Sequence, residues 1–146
     1  VFLQSIQEEY RKEYSERHQT FTLDCMPGLT LSTDEGFLRE IIQNLVSNAI
    51  KYTPENKSVS LSAYTRNAKT VIEVADSGFG IPTHEQEKIF TKFFRATNIV
   101  SHETNGTGLG LYLVQLLTKM LGGTIAFFSQ ENAGTTFTLT FDCQKN

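Results

Sequence analysis

The chain has little of what would assign it to a specialised class. Its two cysteines, Cys25 and Cys143, sit at opposite ends of 146 residues in apolar, strand-like stretches. They match no metal-ligand spacing, so buried free thiols are expected rather than a disulfide framework. Lysine and arginine form no run and the net charge is −3, which leaves no electrostatic footprint for nucleic acid. No apolar stretch approaches the ~20 residues that cross a bilayer, and no leader pattern is visible, so no membrane contact is expected. The chain starts at Val1 rather than Met and reads as a piece of something longer. It has neither internal repeats nor a low-complexity linker, and its length suits one domain, residues 1–146.

Hydrophobic periodicity then divides the chain. Residues 1–18 carry Leu3, Ile6, Tyr10 and Tyr14 on one stripe and are expected to be helical. Strands are expected over 20–25 and, after the Pro27-Gly28 turn, over 29–32. Thr33-Asp34 is an N-cap signal for a helix that should run to about Tyr52, ahead of Pro54. Strands at 58–64 and 70–75 form a hairpin across the turn Arg66 to Lys69. Pro82 and the capping-box pattern Thr83-His84-Glu85-Gln86 open a short helix carrying Ile89, Phe90, Phe93 and Phe94. Residues 95–107 lack any period and should form a mobile loop. An apolar helix from Leu109 to Leu121 stops at Gly122-Gly123, and a last hairpin pairs 125–129 with 135–141. Strands and helices mix without strict alternation. That favours an α+β fold, with helices on one face of a largely antiparallel sheet.

Chemistry concentrates in three places. On the helix ending at Tyr52, Leu38, Ile41, Ile42, Leu45, Val46 and Ala49 form the apolar arc, while Arg39, Gln43 and Ser47 fall on the solvated side. Between these arcs Glu40, Asn44, Asn48 and Lys51 line up within about 80° of one another. Amide oxygens can ligate a hard cation and a lysine can hold phosphate, although a solvated polar ladder has the same pattern. The second place is Asp76-Ser77-Gly78-Phe79-Gly80-Ile81. Asp76 shares the side-chain parity of Ile72 and Val74, and a carboxylate on that face needs a donor. A base amino group would serve, and so would the local backbone of an Asp-Ser-Gly turn. The third is Gly106-Thr107-Gly108-Leu109-Gly110, directly before a helix, where backbone N–H groups make an anion site. The glycine spacing fits neither a dinucleotide fingerprint nor a P-loop.

These segments occur in one order: Asn44-Leu45-Val46-Ser47-Asn48-Ala49-Ile50-Lys51-Tyr52-Thr53, Asp76 to Pro82, Phe90-Thr91-Lys92-Phe93-Phe94-Arg95, then Gly106 to Leu111. The series resembles the N, G1, F and G2 boxes of the catalytic ATP-binding domain of bacterial two-component sensor histidine kinases. The wider superfamily includes type II topoisomerases, mismatch-repair ATPases and a heat-shock chaperone class. The resemblance spans essentially the whole chain. It implies a two-layer α/β sandwich, with a mixed, mainly antiparallel sheet of about five strands under three main helices. It also implies ATP and Mg²⁺ as cofactors.

By the same resemblance, Asn48 would ligate Mg²⁺, with Asn44 beside it. Lys51 would contact phosphate, and Tyr52 would line the pocket. Asp76 would accept from the adenine amino group, with Gly78, Gly80 and Ile81 shaping the base site. Residues from about Arg95 to Gly106 would be a lid anchored by Phe90, Phe93 and Phe94. Gly106, Thr107, Gly108, Leu109 and Gly110 would close on the phosphates. Gly134-Thr135-Thr136-Phe137 resembles a last glycine box, with Ala133 a departure from it, and is expected to be structural.

Superfamily members that hydrolyse ATP have a glutamate where this chain has Asn44, and an amide cannot take a proton from water. Glu40 one turn earlier leaves a base on the stripe open. His18, His84 and His102 lack the context of a phosphoacceptor, so the acceptor histidine is expected on a separate dimerisation and phosphotransfer domain, with relay to a response regulator receiver domain. Residues 1–18 would continue from that domain, in a cytoplasmic setting whether or not the parent is membrane-anchored. A self-sufficient ATPase and a non-catalytic nucleotide sensor are the alternatives.

Overall fold

The computed structural model describes residues 1–100 and 108–143, the side chains of residues 99 and 100 excepted. Five strands form one sheet in the order β1-β2-β3-β5-β4. β1 (Thr20–Cys25) runs parallel to β2 (Ser58–Arg66). The pairs β2–β3 (Lys69–Asp76), β3–β5 (Gly134–Asp142) and β5–β4 (Thr124–Gln130) are antiparallel. The single parallel pair follows from chain order, since a whole helix is crossed between β1 and β2 and parallel neighbours need such a crossover. β2 and β3 meet through Asn67 and Ala68, both at positive φ, the conformation of the two-residue hairpin turn that matches strand twist.

Alternation makes the sheet one-sided. Val59, Leu61, Ala63, Ile72, Val74, Phe137, Leu139 and Phe141 are buried on one face, where α1 (Phe2–Glu9), α3 (Glu35–Lys51) and α5 (Gly110–Met120) pack. α3 starts where Asp34 accepts a hydrogen bond from the Phe37 N–H at 2.9 Å. Its expected apolar arc, extended by Ile50, is buried. Each such side chain contributes about 1.5–3 kcal/mol on leaving water, which makes α3 the central support of the helical layer.

Several local expectations are corrected. Residues 1–18 form two helices, α1 and α2 (Arg11–Glu16), with the break at Tyr10. The apolar stripe has to meet two partners there: Tyr10 Oη donates to the Gln43 carbonyl of α3, whereas the Tyr14 ring packs on Phe21 of β1 with centroids 5.1 Å apart. Residues 29–32 are not a strand. The turn at Gly28 takes them off the edge strand β1, and Leu29 and Leu31 fold down on the core as irregular chain. Arg39 and Gln43 are not simply solvated: they bond Ser5 and Glu9 of α1. Cys25 is exposed and Cys143 half-buried, both as free thiols.

The expected capping-box helix is a 3₁₀ helix, Thr83–Lys88, with no side-chain cap. Glu85 accepts instead from the Thr97 N–H, and Gln86 donates to the carbonyls of Ile81 and Ser129. The phenylalanines beyond it do not act as one cluster. Phe90 packs on Phe127 and Phe137, whereas Phe93 is 70% exposed at positive φ. Within the expected loop, Thr97–Val100 form a helical turn, α4; residues 101–107 lie outside the described residues.

One carbonyl in the last turn of α3 and one just beyond its C-cap share an unusual partner. Gln19, buried ahead of β1, donates its side-chain amide to Ile50 O at 3.0 Å and to Thr53 O at 2.7 Å. Truncation strands two acceptors that a helix end cannot satisfy internally. Gln19→Ala is expected to lower stability by about 2–3 kcal/mol, read from the urea midpoint at unchanged slope. An unchanged midpoint would show that water replaces the amide at no cost.

Candidate functional site

The end of α3 is joined to the loop after β3. Phe79 N–H donates to the Tyr52 carbonyl at 3.1 Å, and an added Cβ at Gly78 would lie 2.3 Å from that same oxygen. Only glycine allows this backbone-to-backbone approach. Asp76 ends β3 with its carboxylate Oδ1 accepting from the Gly78 N–H at 2.9 Å. The carboxyl group is pushed up from 3.8 to about 6 by burial, against the opposing hydrogen bonds from the Gly78 and Thr135 backbones. The expected local turn is therefore real. It leaves a carboxylate that is short of solvation and still has acceptor capacity.

The opposite wall is the start of α5. Phe93 N–H donates to Gly108 O at 2.9 Å, and Gly108, at φ +71°, presses on the Phe93 backbone where a Cβ would clash. One residue into α5, Gly110 faces α3: a Cβ there would stand 3.0 Å from Asn44 Oδ1 and 4.0 Å from Asn48 Nδ2. The N-cap Leu109 makes no side-chain cap hydrogen bond, and the contact of Gly110 with Asn44 and Asn48 puts the N-terminal, partially positive end of this helix beside the amide stripe of α3.

Between the walls lies a cavity of ≈190 Å³. Among the described residues its polar lining comprises Asn44, Ser47, Asn48, Lys51 and Arg95 with the backbone of Gly108 and Gly110, and none of them is acidic. In a protein of net charge −3, that local sign selects an anion. Tyr52, Ile81, Ile89, Phe94, Ala96 and Leu111 supply an apolar remainder. A larger cavity of ≈530 Å³, beside α1 and β1, has Asp24 and Glu35 as its charged side chains. Its sign is wrong for phosphate.

Of the residues singled out from sequence, the cavity brings together Asn44, Asn48, Lys51, Tyr52, Ile81, Arg95, Gly108 and Gly110. Asp76, Gly78 and Gly80 are not on its lining; they sit one layer back, next to Tyr52 and Ile81. Gly80 (φ +68°) abuts the Gln130 carbonyl of the β4–β5 turn, so it serves packing of that turn. Leu109 is 36% exposed and off the lining, where Leu111 stands instead. Gly106 and Thr107 lie outside the described residues.

Ser47, Ile89, Ala96 and Leu111 were missed as lining residues, and Phe94, expected as a lid anchor, lines the cavity. For Ser47 the signal existed, since helical spacing places it only about 20° from Glu40. The chain from Ile89 to Ala96 is irregular and offers no period to read. Glu40 itself is exposed, with its carboxylate 3.5 Å from the Asn44 amide nitrogen, and it does not line the cavity.

The raised carboxyl makes stability depend on pH. Between about pH 4 and 6 the folded protein holds a proton on Asp76 that the unfolded chain has lost, so this group's contribution is full below 4 and is lost as pH rises through 6. Asp76→Asn, neutral throughout, lacks that loss. Its stability relative to wild type is expected to improve on the order of 2 kcal/mol from pH 4 to pH 7, measured by denaturant melts at both pH values. A constant difference would mean that the carboxyl is not perturbed.

Comparisons with known proteins converge on one family. Residues 33–145 match the family described as histidine kinase-, DNA gyrase B-, and HSP90-like ATPase. The chain is 42% identical over 121 residues to the sensor-like histidine kinase SenX3 of Mycolicibacterium smegmatis, covering 83% of this chain and 32% of that protein. It is 37% identical over 135 residues to the autoinducer 2 sensor kinase/phosphatase LuxQ of Vibrio vulnificus, covering 89% of this chain and 15% of that protein. The chain thus spans a third or less of these relatives. Among solved structures, the catalytic domain of histidine kinase ThkA superposes with a TM-score of 0.83 at 26% identity, over 97% of this chain and 90% of that one. Full-length ShkA in complex with AMPPNP gives 0.82 at 28% identity, over 96% of this chain and 29% of that one. The chain therefore belongs to the family of histidine kinase-, DNA gyrase B- and HSP90-like ATPases, in its sensor histidine kinase branch.

Proposed function

We propose that this domain holds Mg·ATP for phosphoryl transfer to a histidine on a separate dimerisation domain of its parent protein. Onward relay would go to an aspartate on a response regulator receiver domain, in the cytoplasm. The observation that carries the reading is the cavity, with no acid among its described lining residues, in which the α3 amides meet the start of α5. Helix N–H groups, Lys51 and Arg95 take the phosphates. Asp76, whose charge burial makes costly, accepts from the adenine amino group, with Tyr52 and Ile81 against the base.

The donor set also suits Mg²⁺. Among the described residues no group of three or more His, Cys, Asp or Glu side chains could hold a metal, so these residues build no cage of their own. A cation arriving with phosphates needs only one or two protein oxygens. Asn44 donates its amide to the Glu40 carbonyl at 2.8 Å, which turns Oδ1 toward Gly110. Asn48, one turn on, supplies the second amide. Bound there, the cation would neutralise phosphate charge.

Transfer is favoured over hydrolysis because none of the described carboxylates lines the cavity. Glu40 is turned to Asn44, and Glu85 is buried against the Thr97 N–H. His18 and His84 are exposed and off the lining; His102 lies outside the described residues.

Calorimetry and a transfer assay test this reading. Asp76→Asn is expected to weaken Mg·ATP binding ~10- to 100-fold, as loss of a charge-assisted hydrogen bond would. Equal affinities would remove Asp76 from base recognition. With labelled ATP, the chain should phosphorylate an added histidine-bearing dimerisation domain and Asn48→Ala should not. Steady phosphate release by the chain alone would instead identify a self-sufficient ATPase, and binding without transfer would identify a sensor.

A further inference from the structure

Among the described residues, a buried hydroxyl beside Asp76 is left without employment by the nucleotide reading. Thr53, the residue after the α3 C-cap, is 1% exposed, and its hydroxyl Oγ1 has no hydrogen-bond partner. Its backbone carbonyl is taken by Gln19 at 2.7 Å, so the backbone is pinned while the hydroxyl is left over. A buried, unpaired hydroxyl forfeits its hydration without replacement, and native folds rarely keep one without a use.

Its position suggests the use. The point where a Cβ would stand on Gly78 is 3.0 Å from Thr53 Oγ1 and 2.8 Å from Asp76 Oδ1. The hydroxyl and the carboxylate therefore flank the same glycine, immediately behind Tyr52. Hydrogen-bonding capacities then separate them. An ionised Asp76 can only accept, whereas a threonine hydroxyl can also donate. An adenine edge presents both partners side by side, an amino donor and an unprotonated ring nitrogen. Guanine reverses that order at the equivalent positions, with a carbonyl oxygen and a ring N–H.

We propose that Thr53 is a second base-reading residue, donating its hydroxyl to the adenine ring nitrogen, directly or through one water, while Asp76 accepts from the amino group. The inference rests on the nucleotide reading above and adds the source of base selectivity. It also accounts for the orphaned state of Oγ1, since the hydroxyl gains its partner only when the nucleotide is in place.

The test uses Thr53→Val and Thr53→Ser, with melting of the nucleotide-free protein and calorimetry with Mg·ATP and Mg·GTP. Valine removes only an unpaired hydroxyl, so the nucleotide-free melting temperature should hold or rise. ATP affinity should fall about 3- to 10-fold, as for one lost hydrogen bond, and the ATP-to-GTP preference should narrow by a similar factor. Serine should restore both affinity and preference.

A structural role would give another pattern: lower melting for valine, with ATP and GTP weakened alike. That result, or wild-type ATP affinity in Thr53→Val, overturns the assignment to Thr53 and leaves the cavity's function standing. Failure of the wild-type chain to bind either nucleotide brings down the nucleotide reading, and this inference with it.

Discussion

Helix α3 has to be buried along one side and polar along the next, and the rest of the structure follows from how those two faces are satisfied. The arc from Leu38 to Ile50 is sealed against β2 and β3, which fixes the helix in rotation. Once that rotation is set, Asn44 and Asn48 have one direction available, and the start of α5 lies in it. Hydrophobic burial thus aims the polar residues, with no separate scaffold for the site. At its C-terminal end the same helix is locked from two directions. Gln19 takes the carbonyls of Ile50 and, just past the helix, Thr53, and Phe79 takes the Tyr52 carbonyl. The locked end is where Tyr52, Thr53 and Asp76, the residues proposed to read the base, gather.

The glycines have a different part from the one usually given to glycine-rich loops. Gly78 admits the Tyr52 carbonyl, Gly80 the Gln130 carbonyl and Gly108 the Phe93 backbone. Each brings two pieces of main chain closer than any side chain would allow. They fix the main chain around the cavity by close packing, and of the described glycines only Gly110 faces the amide pair directly. Asp76 shows the complementary principle, since its position is fixed by strand pairing and its chemistry by burial.

Regular elements were legible because a period repeats. β1, α3, both hairpins and the buried arc of α3 follow from two- and 3.6-residue alternation, and the amide stripe follows from the same arithmetic. Legibility fails where one side chain has several partners to choose from. Thr83 and Gln86 have capping-box spacing, yet tertiary contacts claim Gln86 and Glu85. The stripe of residues 1–18 is continuous, yet α3 and β1 pull its two halves apart at Tyr10. Ile89, Phe94 and Ala96 reach the cavity from irregular chain, and no local rule places them there.

The central claim is that one cavity, with α3 on one side and α5 on the other, receives ATP. A crystal structure of the chain grown with Mg²⁺ and a non-hydrolysable ATP analogue tests it most directly. The account predicts phosphates between Asn48 and the N–H groups at Gly110, with the adenine amino group on Asp76. A nucleotide seated instead in the ≈530 Å³ cavity beside α1, where Asp24 and Glu35 stand, would contradict it.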